Sequence, residues 1–178
     1  MGLFATLNGL LAMSARELEG REASPTAGVI DSQSVKTTES GGISGYDAGK
    51  KVKGRKRHIL TDTLGLLLVI LIHGADVQDR DGAPAVLKAA RFRFPWLRHV
   101  FADGGYAGDK LRQALKGSGE WVIEIIRRSD RAKGFEVLPR RWGSTPWFLL
   151  RSNLLPAFVD DNRMKVFTPG ALILRFCT

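Results

Sequence analysis

Short apolar runs, separated by small or polar segments, recur along the chain after Pro25 and predict β-strands. The predicted strands are residues 29–35, 57–63, 65–74, 99–103 and 121–126. The second and third runs are separated by Thr63, Leu64 and Gly65, and this spacing indicates a β-hairpin. The pattern therefore begins with three consecutive strands.

Helical spacing appears between the later strands. The segment 79–84 combines acidic residues with an early proline, which is typical of a helix start, and Pro95 ends the apolar periodicity that follows. Residues 109–115 predict a second, compact helix, and residues 1–20 predict a short peripheral one. Strands that later alternate with helices indicate an α/β protein in which helices cover a mixed sheet.

Composition is that of an ordinary soluble globular protein. The 178 residues are 44% hydrophobic and 25% charged, which disfavours disorder over the whole chain and allows one domain. Cys177 is the single cysteine, so a disulfide scaffold is excluded. We expect no membrane span, because no run approaches about 18 apolar residues. No Lys or Arg precedes the apolar start of the chain, so a signal peptide is not expected and the predicted location is cytoplasmic.

The basic excess is concentrated in one segment. Lys and Arg number 27 against 18 Asp and Glu, a net charge of +9, and six cations lie within residues 50–57: Lys50, Lys51, Lys53, Arg55, Lys56 and Arg57. The small polar stretch before them, residues 37–42, predicts a mobile loop. A flexible basic loop can bind the phosphates of nucleic acid. The alternative is a solvated loop that only aids solubility.

Two aspartates occupy unusual positions. Asp31 lies in the middle of a predicted strand, and Asp103 ends another strand directly before two glycines. If those strands are neighbours, the two carboxylates share one site and can hold Mg²⁺ or Mn²⁺ for phosphodiester chemistry. The alternative is structural: Asp103 is a turn residue, and Asp31 hydrogen-bonds to the polar segment that follows it.

The other polar residues favour structural roles. Asp76, Asp79 and Asp81 precede a predicted helix, where capping is the favoured interpretation. Asp62 lies near the hairpin turn and is also expected to be structural. The three histidines lack the spacing of metal ligands.

Five motifs together resemble the catalytic domain of bacterial insertion-sequence transposases of the DDE type. They occur in order, with family-like spacing, between residues 20 and 142. They are residues 29–37 (VIDSQSVKT), 45–51 (GYDAGKK), 53–58 (KGRKRH), 79–83 (DRDGA) and 102–108 (ADGGYAG). Several motifs in series are far more specific than any one of them.

The resemblance implies a ribonuclease H-like fold and Mg²⁺-dependent cutting and joining of DNA strands. Asp31 matches the first catalytic aspartate of the family and Asp103 the second, and both would bind the metal ion. The basic segment 50–57 would lie along DNA. The expected partners are double-stranded DNA at the ends of an insertion element and a second copy of the chain.

The third catalytic residue of the family has no match. It is a glutamate on a helix that follows a Pro-Arg-Arg-Trp segment, which is present here as residues 139–142 but is followed by Gly143. Glu136 precedes the segment, and Asp160 and Asp161 are the only later acids. We therefore expect an N-terminal helical segment (1–24), a catalytic domain (25–142) that is incomplete at its C-terminus, and a tail (143–178) that fits a frameshift or insertion.

Two functional hypotheses follow. The first is a DNA transposase that cuts and joins strands at element ends but is catalytically impaired. The second is a non-catalytic DNA-binding fragment. A nuclease of the same fold acting on other substrates is a third interpretation.

Overall fold

The computed structural model describes residues 3–37 and 41–126, which form one mixed β-sheet with three α-helices. In chain order, the elements are α1 (Leu3–Leu18), β1 (Ala27–Lys36), β2 (Gly45–Asp47), β3 (Val52–Asp62), β4 (Leu67–Gly74), α2 (Asp79–Arg93), β5 (His99–Ala102), a 3₁₀ turn (Gly104–Tyr106), α3 (Asp109–Ala114) and β6 (Val122–Ile125). All five predicted strands and all three predicted helices are therefore present. The additional strand, β2, has only three residues, too few to give a periodic signal.

Strand β1 lies in the interior of the sheet. It pairs antiparallel with β3 on one side and parallel with β5 on the other, and β6 continues the parallel part. The far edge of β3 carries β2 at its start and β4 along the rest of its length. Four strands joined by antiparallel pairing, β1 to β4, are extended by the two parallel strands β5 and β6. Together they form the mixed sheet that was predicted, and this arrangement is compatible with a ribonuclease H-like fold.

Helix α2 contributes much of the core. The apolar residues of the helical periodicity are all buried, and they pack in one cluster with Ile30 of β1 and Leu60 of β3. They are Val86, Leu87 and Ala90 within α2 and Phe94 directly after it. Burying one such side chain contributes about 1.5–3 kcal/mol relative to leaving it exposed. The packing of α2 therefore fixes the position of its N-terminus against β1 and β3.

The N-terminal helix is tied to the hairpin by polar contacts. Arg16 forms a buried ion pair with Asp62, and the side-chain amide of Asn8 donates to the carbonyl oxygen of Leu67 at 2.8 Å. The other carboxylate oxygen of Asp62 accepts from the backbone N–H groups of Leu64 and Leu66 in the hairpin turn. The structural role expected for Asp62 is confirmed. Through Arg16 and Asn8, helix α1 is attached to the β3–β4 hairpin.

The expectation that the basic segment continues a mobile loop is wrong for residues 52–57, which belong to β3. Strand β1 pairs with this part of the chain on one side, and β2 and β4 pair with it on the other. Within β3, Lys56 and Arg57 are buried, whereas Lys53 is exposed; Lys50 and Lys51 are exposed in the turn before the strand. Charge density alone does not distinguish a solvated loop from a strand whose cations have partners inside the protein.

Several expectations lie outside the described residues. These include the tail 143–178, the Pro-Arg-Arg-Trp segment, and the acids Glu136, Asp160 and Asp161. The domain boundaries remain predictions. Of the helices in the described part of the chain, none combines the length and the apolar character that a membrane crossing needs.

Candidate active site

Asp31 and Asp103 lie side by side at the point where β5 ends against the middle of β1. The parallel register pairs Val29 of β1 with Phe101 of β5, so two residues further along each strand Asp31 comes level with Asp103. Both aspartates are half-buried and line one open cleft. The two strands are neighbours, which is the condition under which the sequence predicted a shared site.

The turn after β5 positions the Asp103 side chain. One carboxylate oxygen accepts a hydrogen bond from the backbone N–H of Gly105 at 2.9 Å and so caps the 3₁₀ turn. The turn interpretation of Asp103 is therefore correct as far as it goes. It does not exclude a second role, because a carboxylate has further lone pairs to offer.

Asp79 is a third carboxylate at this end of the molecule. It begins α2, where Gln78 is the N-cap residue, but its carboxylate turns toward the sheet and bonds to Lys56. A Cβ atom on Gly105 would be 3.1 Å from Asp103 Oδ1 and 3.4 Å from Asp79 Oδ2, so the two carboxylates flank the same glycine. The prediction that the acids at the start of α2 cap the helix did not include the ion pair of Asp79 with Lys56. It also did not include the ion pair of Asp81 with Lys110, at 2.7 Å.

Lys56 joins two acids beneath the site. Its ammonium lies 3.1 Å from Asp47 Oδ2 and 3.0 Å from Asp79 Oδ1. Asp47 also accepts from the Ser34 hydroxyl at 2.6 Å and from the Lys50 backbone N–H at 3.0 Å. Three strands and the start of α2 are thus connected through one buried ammonium group.

The titration of these groups reflects that network. Burial alone would raise the pKa of Asp47, but hydrogen bonds from Ser34, Lys50 and Lys56 outweigh it and hold the pKa well below its usual range. For Asp79, burial is likewise outweighed by bonds from Ser32 and Lys56, and the pKa is lowered. Burial would lower the pKa of Lys56, but its two carboxylate partners raise it. All three groups are therefore charged near neutral pH.

Tyr106 is buried at the end of the turn that follows Asp103. Its side chain is only 1% exposed, and burial, followed by the charges of Asp31, Asp79 and Asp103, raises the pKa of its hydroxyl. The hydroxyl therefore remains protonated. Sequence analysis included Tyr106 in a motif but assigned it no role.

The donor set at the cleft suits a hard divalent cation in part. Two carboxylates, one within β1 and one directly after β5, are oxygen ligands of the kind Mg²⁺ and Mn²⁺ take, and water and phosphate oxygens commonly complete such sites. Within residues 3–37 and 41–126, however, no three His, Cys, Asp or Glu side chains come together as a metal-binding group. Asp79 is near but is engaged by Lys56, so it does not replace the missing third acid.

Comparison with known proteins decides the family. A family model described as a transposase DDE domain matches residues 22–144. The chain belongs to the DDE transposase family. Over 88 residues it is 31% identical to a putative transposase for insertion sequence element IS402 of Burkholderia cepacia, and this match covers 46% of the chain and 42% of that protein. The chain thus matches less than half the length of this curated relative.

The family match covers every residue of the candidate site. Asp31, Asp47, Lys56, Asp79 and Asp103 all lie between residues 22 and 144. The resemblance found in the sequence motifs is therefore confirmed at the level of the family. The acidic cleft, with Asp31 of β1 and Asp103 after β5, thus lies within the part of the chain that matches the DDE transposase domain.

Proposed function

We propose that this chain binds double-stranded DNA at the ends of an insertion element, and that Asp31 and Asp103 hold Mg²⁺ or Mn²⁺ there for strand cutting and joining. The observation that carries this proposal is the level placement of the two carboxylates in one cleft, on neighbouring parallel strands. The family match gives the reaction class. A divalent cation supplies charge stabilisation and activation of the attacking oxygen in phosphodiester displacement.

The surrounding residues act on the position and charge of this pair. The backbone N–H of Gly105 donates to one oxygen of Asp103 and thereby fixes the orientation of this carboxylate. The Lys50 ammonium donates to the carbonyl oxygen of Ser32 at 3.1 Å, directly after Asp31 in the chain, and brings positive charge to a cleft that must admit a phosphate. The Asp47–Lys56–Asp79 network holds α2 against β3 and thereby supports the wall of the site.

We further propose that strand cutting is impaired. Two carboxylates give fewer protein ligands than the family's triad, and residues 143–178 contain no glutamate where the family pattern expects one. The second candidate function, a non-catalytic DNA-binding fragment, is favoured by the same departure from the pattern. An impaired enzyme and a fully active one would both bind a cation at Asp31 and Asp103, so cation binding alone does not distinguish them.

Substitution of Asp31 by Asn tests the cation site. The expected result is loss of Mn²⁺ binding in a calorimetric titration of the full chain, because the amide removes one of two anionic ligands without changing the side-chain shape. Magnesium-dependent nicking of element-end DNA, if the wild type shows any, disappears with it, whereas DNA binding is nearly unchanged.

Asp109→Asn is the matched control, since Asp109 is exposed at the start of α3 and does not line the cleft. It should leave Mn²⁺ binding intact. Equal Mn²⁺ affinity in wild type and Asp31→Asn would refute the cation site. Efficient strand cutting by the wild-type chain would refute the proposed impairment and leave the site itself standing.

The exposed lysines before and within β3 provide a test of DNA binding. We expect the double variant Lys51→Gln and Lys53→Gln to bind double-stranded DNA more weakly on all sequences. If each lysine neutralises one phosphate, the slope of log affinity against log salt concentration should decrease by about 2. Fluorescence anisotropy across a salt series measures this slope, with Lys116→Gln, at an exposed lysine in the turn after α3, as the control. An unchanged slope would exclude this face as the DNA contact.

A further inference from the structure

Two exposed aromatic side chains lie at the C-terminal end of α2 and in the turn that follows it. Phe92 is 74% exposed and Trp96 is 63% exposed, which makes them the most exposed aromatic residues in the described part of the chain. They are four residues apart, so their Cα atoms are separated by no more than about 14 Å. Folding gains little from these rings, because most of their surface stays in water.

Exposed cations flank the two rings. Lys88 precedes Phe92 by four residues, so the two share one face of α2. Arg98 follows Trp96 by two residues, and its ion pair with Glu120, at 3.3 Å, is open to solvent. Basic residues near a helix C-terminus favour the helix dipole, but Arg98 lies outside the helix and the rings carry no charge. These four residues, 88, 92, 96 and 98, form the α2 C-terminal patch.

The backbone that carries the α2 C-terminal patch is held by buried neighbours. Phe94 and Leu97 belong to the hydrophobic core. Arg91 donates to the carbonyl oxygen of Leu97 at 3.3 Å, and its guanidinium carbon lies 5.8 Å from the centroid of a Trp121 ring. The exposed rings are therefore presented by an anchored turn.

The α2 C-terminal patch and the acidic cleft lie at opposite ends of the same two elements. Helix α2 begins at Asp79 near the cleft, and its 15 residues correspond to a length of about 22 Å. Strand β5 starts directly after Arg98 and ends directly before Asp103. A ligand on the patch therefore contacts the protein away from the proposed cation site.

We propose that the α2 C-terminal patch binds single-stranded DNA, with bases stacked on Phe92 and Trp96 and phosphates beside Lys88 and Arg98. Residues 82–98 contain four Lys and Arg and no Asp or Glu, so the charge of this segment complements a phosphate backbone. Aromatic side chains stack on the faces of unpaired bases whatever their identity, whereas neighbouring bases cover those faces in a duplex. The patch thus adds a second DNA contact, distinct from the duplex-binding lysines of β3.

Replacing both rings by alanine tests the α2 C-terminal patch. The full chain carries Lys51→Gln and Lys53→Gln in every sample, so that the proposed duplex contact does not mask the result. We expect Phe92→Ala with Trp96→Ala to raise the Kd for a fluorescent oligothymidine of about 20 nucleotides at least about tenfold. The Kd for a duplex of the same length should change less than about twofold, because paired bases do not stack on the rings. Fluorescence anisotropy measures both.

Matched variants separate stacking from apolar contact and from charge. Phe4 is 56% exposed on α1, where residues 1–15 contain no Lys or Arg, so Phe4→Ala should change neither Kd. Tyrosine at both ring positions should retain the affinity for the single strand, whereas leucine at both should lose it, because leucine is apolar but cannot stack. Lys88→Gln with Arg98→Gln should lower the slope of log affinity against log salt concentration by about 1.4 for the single strand.

Three results would overturn the inference. The first is an unchanged single-strand Kd in the double alanine variant; if that variant also abolishes a self-association seen by sedimentation velocity, the patch is an interface between copies of the chain. The second is full affinity in the double leucine variant, which would make the patch an apolar docking surface. The third is an equal loss for single strand and duplex, which would exclude stacking. None of these results bears on the cation site, which Mn²⁺ binding by wild type and Asp31→Asn tests separately.

Discussion

Replacing Lys56 by methionine is expected to lower the free energy of unfolding by about 3–5 kcal/mol, the usual cost of removing one partner from a buried ion pair. Methionine keeps most of the length and apolar surface of the lysine side chain. The loss therefore reports the ammonium group, which lies within 3.1 Å of Asp47 and 3.0 Å of Asp79. Urea unfolding at neutral pH measures it.

The cost arises from the two acids that remain. The side chain of Asp47 is 10% exposed and that of Asp79 is 23% exposed, so neither carboxylate can fully regain water when the ammonium is removed. Asp47 keeps two bonds, from Ser34 and Lys50, whereas Asp79 keeps the one from Ser32. We therefore expect the pKa of Asp79 to rise more than that of Asp47 in the variant.

Lys53→Met provides the control for Lys56→Met. Lys53 lies three residues earlier in the same strand but is exposed, so its substitution should change the free energy of unfolding by less than about 0.5 kcal/mol. In DNA binding we expect the reverse order: Lys53→Met weakens the affinity for DNA more than Lys56→Met does. Equal stability of the two variants would contradict the assignment of Lys56 to the interior.

The elements of the fold could be predicted because each left a local pattern. The apolar runs predicted β1, β3, β4, β5 and β6, and the acidic residues with an early proline predicted the start of α2. The Asp31–Asp103 pair could also be proposed, because carboxylates at strand positions are unusual. A shared site required only that the two strands be neighbours. The sheet satisfies that condition.

The partners of the charged residues could not be predicted in the same way. In the sequence, Lys56 is one of six similar cations. The local signal for an interior position is its alternation with His58 and Leu60, and that signal was not part of the prediction. Asp79 had the local context of a helix cap, but its partner is 23 residues away in the chain. Contacts of that kind depend on how α2 packs on the sheet, which a local pattern does not contain.

His58 follows Lys56 on the same face of β3, and it should make the protein acid-sensitive. Its ring is fully buried, neither ring nitrogen has a hydrogen bond within the described residues, and a Cβ on Gly82 would overlap it. Burial and the nearby His73, whose ring centroid is 4.9 Å away, lower the pKa of His58 from its ordinary 6.5 to about 4; Asp79 acts in the opposite direction, and Lys56 and Lys50 add to the lowering.

The sign of the pH effect follows from proton uptake. Between pH 6.5 and 4 the unfolded chain binds a proton at His58 and the folded protein does not, so stability is full above pH 6.5 and decreases as the pH falls through this range. A difference of this size corresponds to about 3 kcal/mol. Asp47 and Asp79, whose pKa values are also lowered, add losses of their own only as the pH approaches and falls below their ordinary value of 3.8.

His58→Leu isolates this contribution, because leucine has a similar volume and no proton to bind. Urea unfolding at pH 7, 5.5 and 4 should show the wild type losing about 3 kcal/mol more than His58→Leu. His99→Gln, which changes a half-exposed histidine on β5, should retain the wild-type loss. Parallel pH profiles for wild type and His58→Leu would mean that His58 takes up its proton without unfolding. The ring would then have a partner or a route to water in the folded protein, and the close packing of α2 on β3 at Gly82 would have to open to provide it.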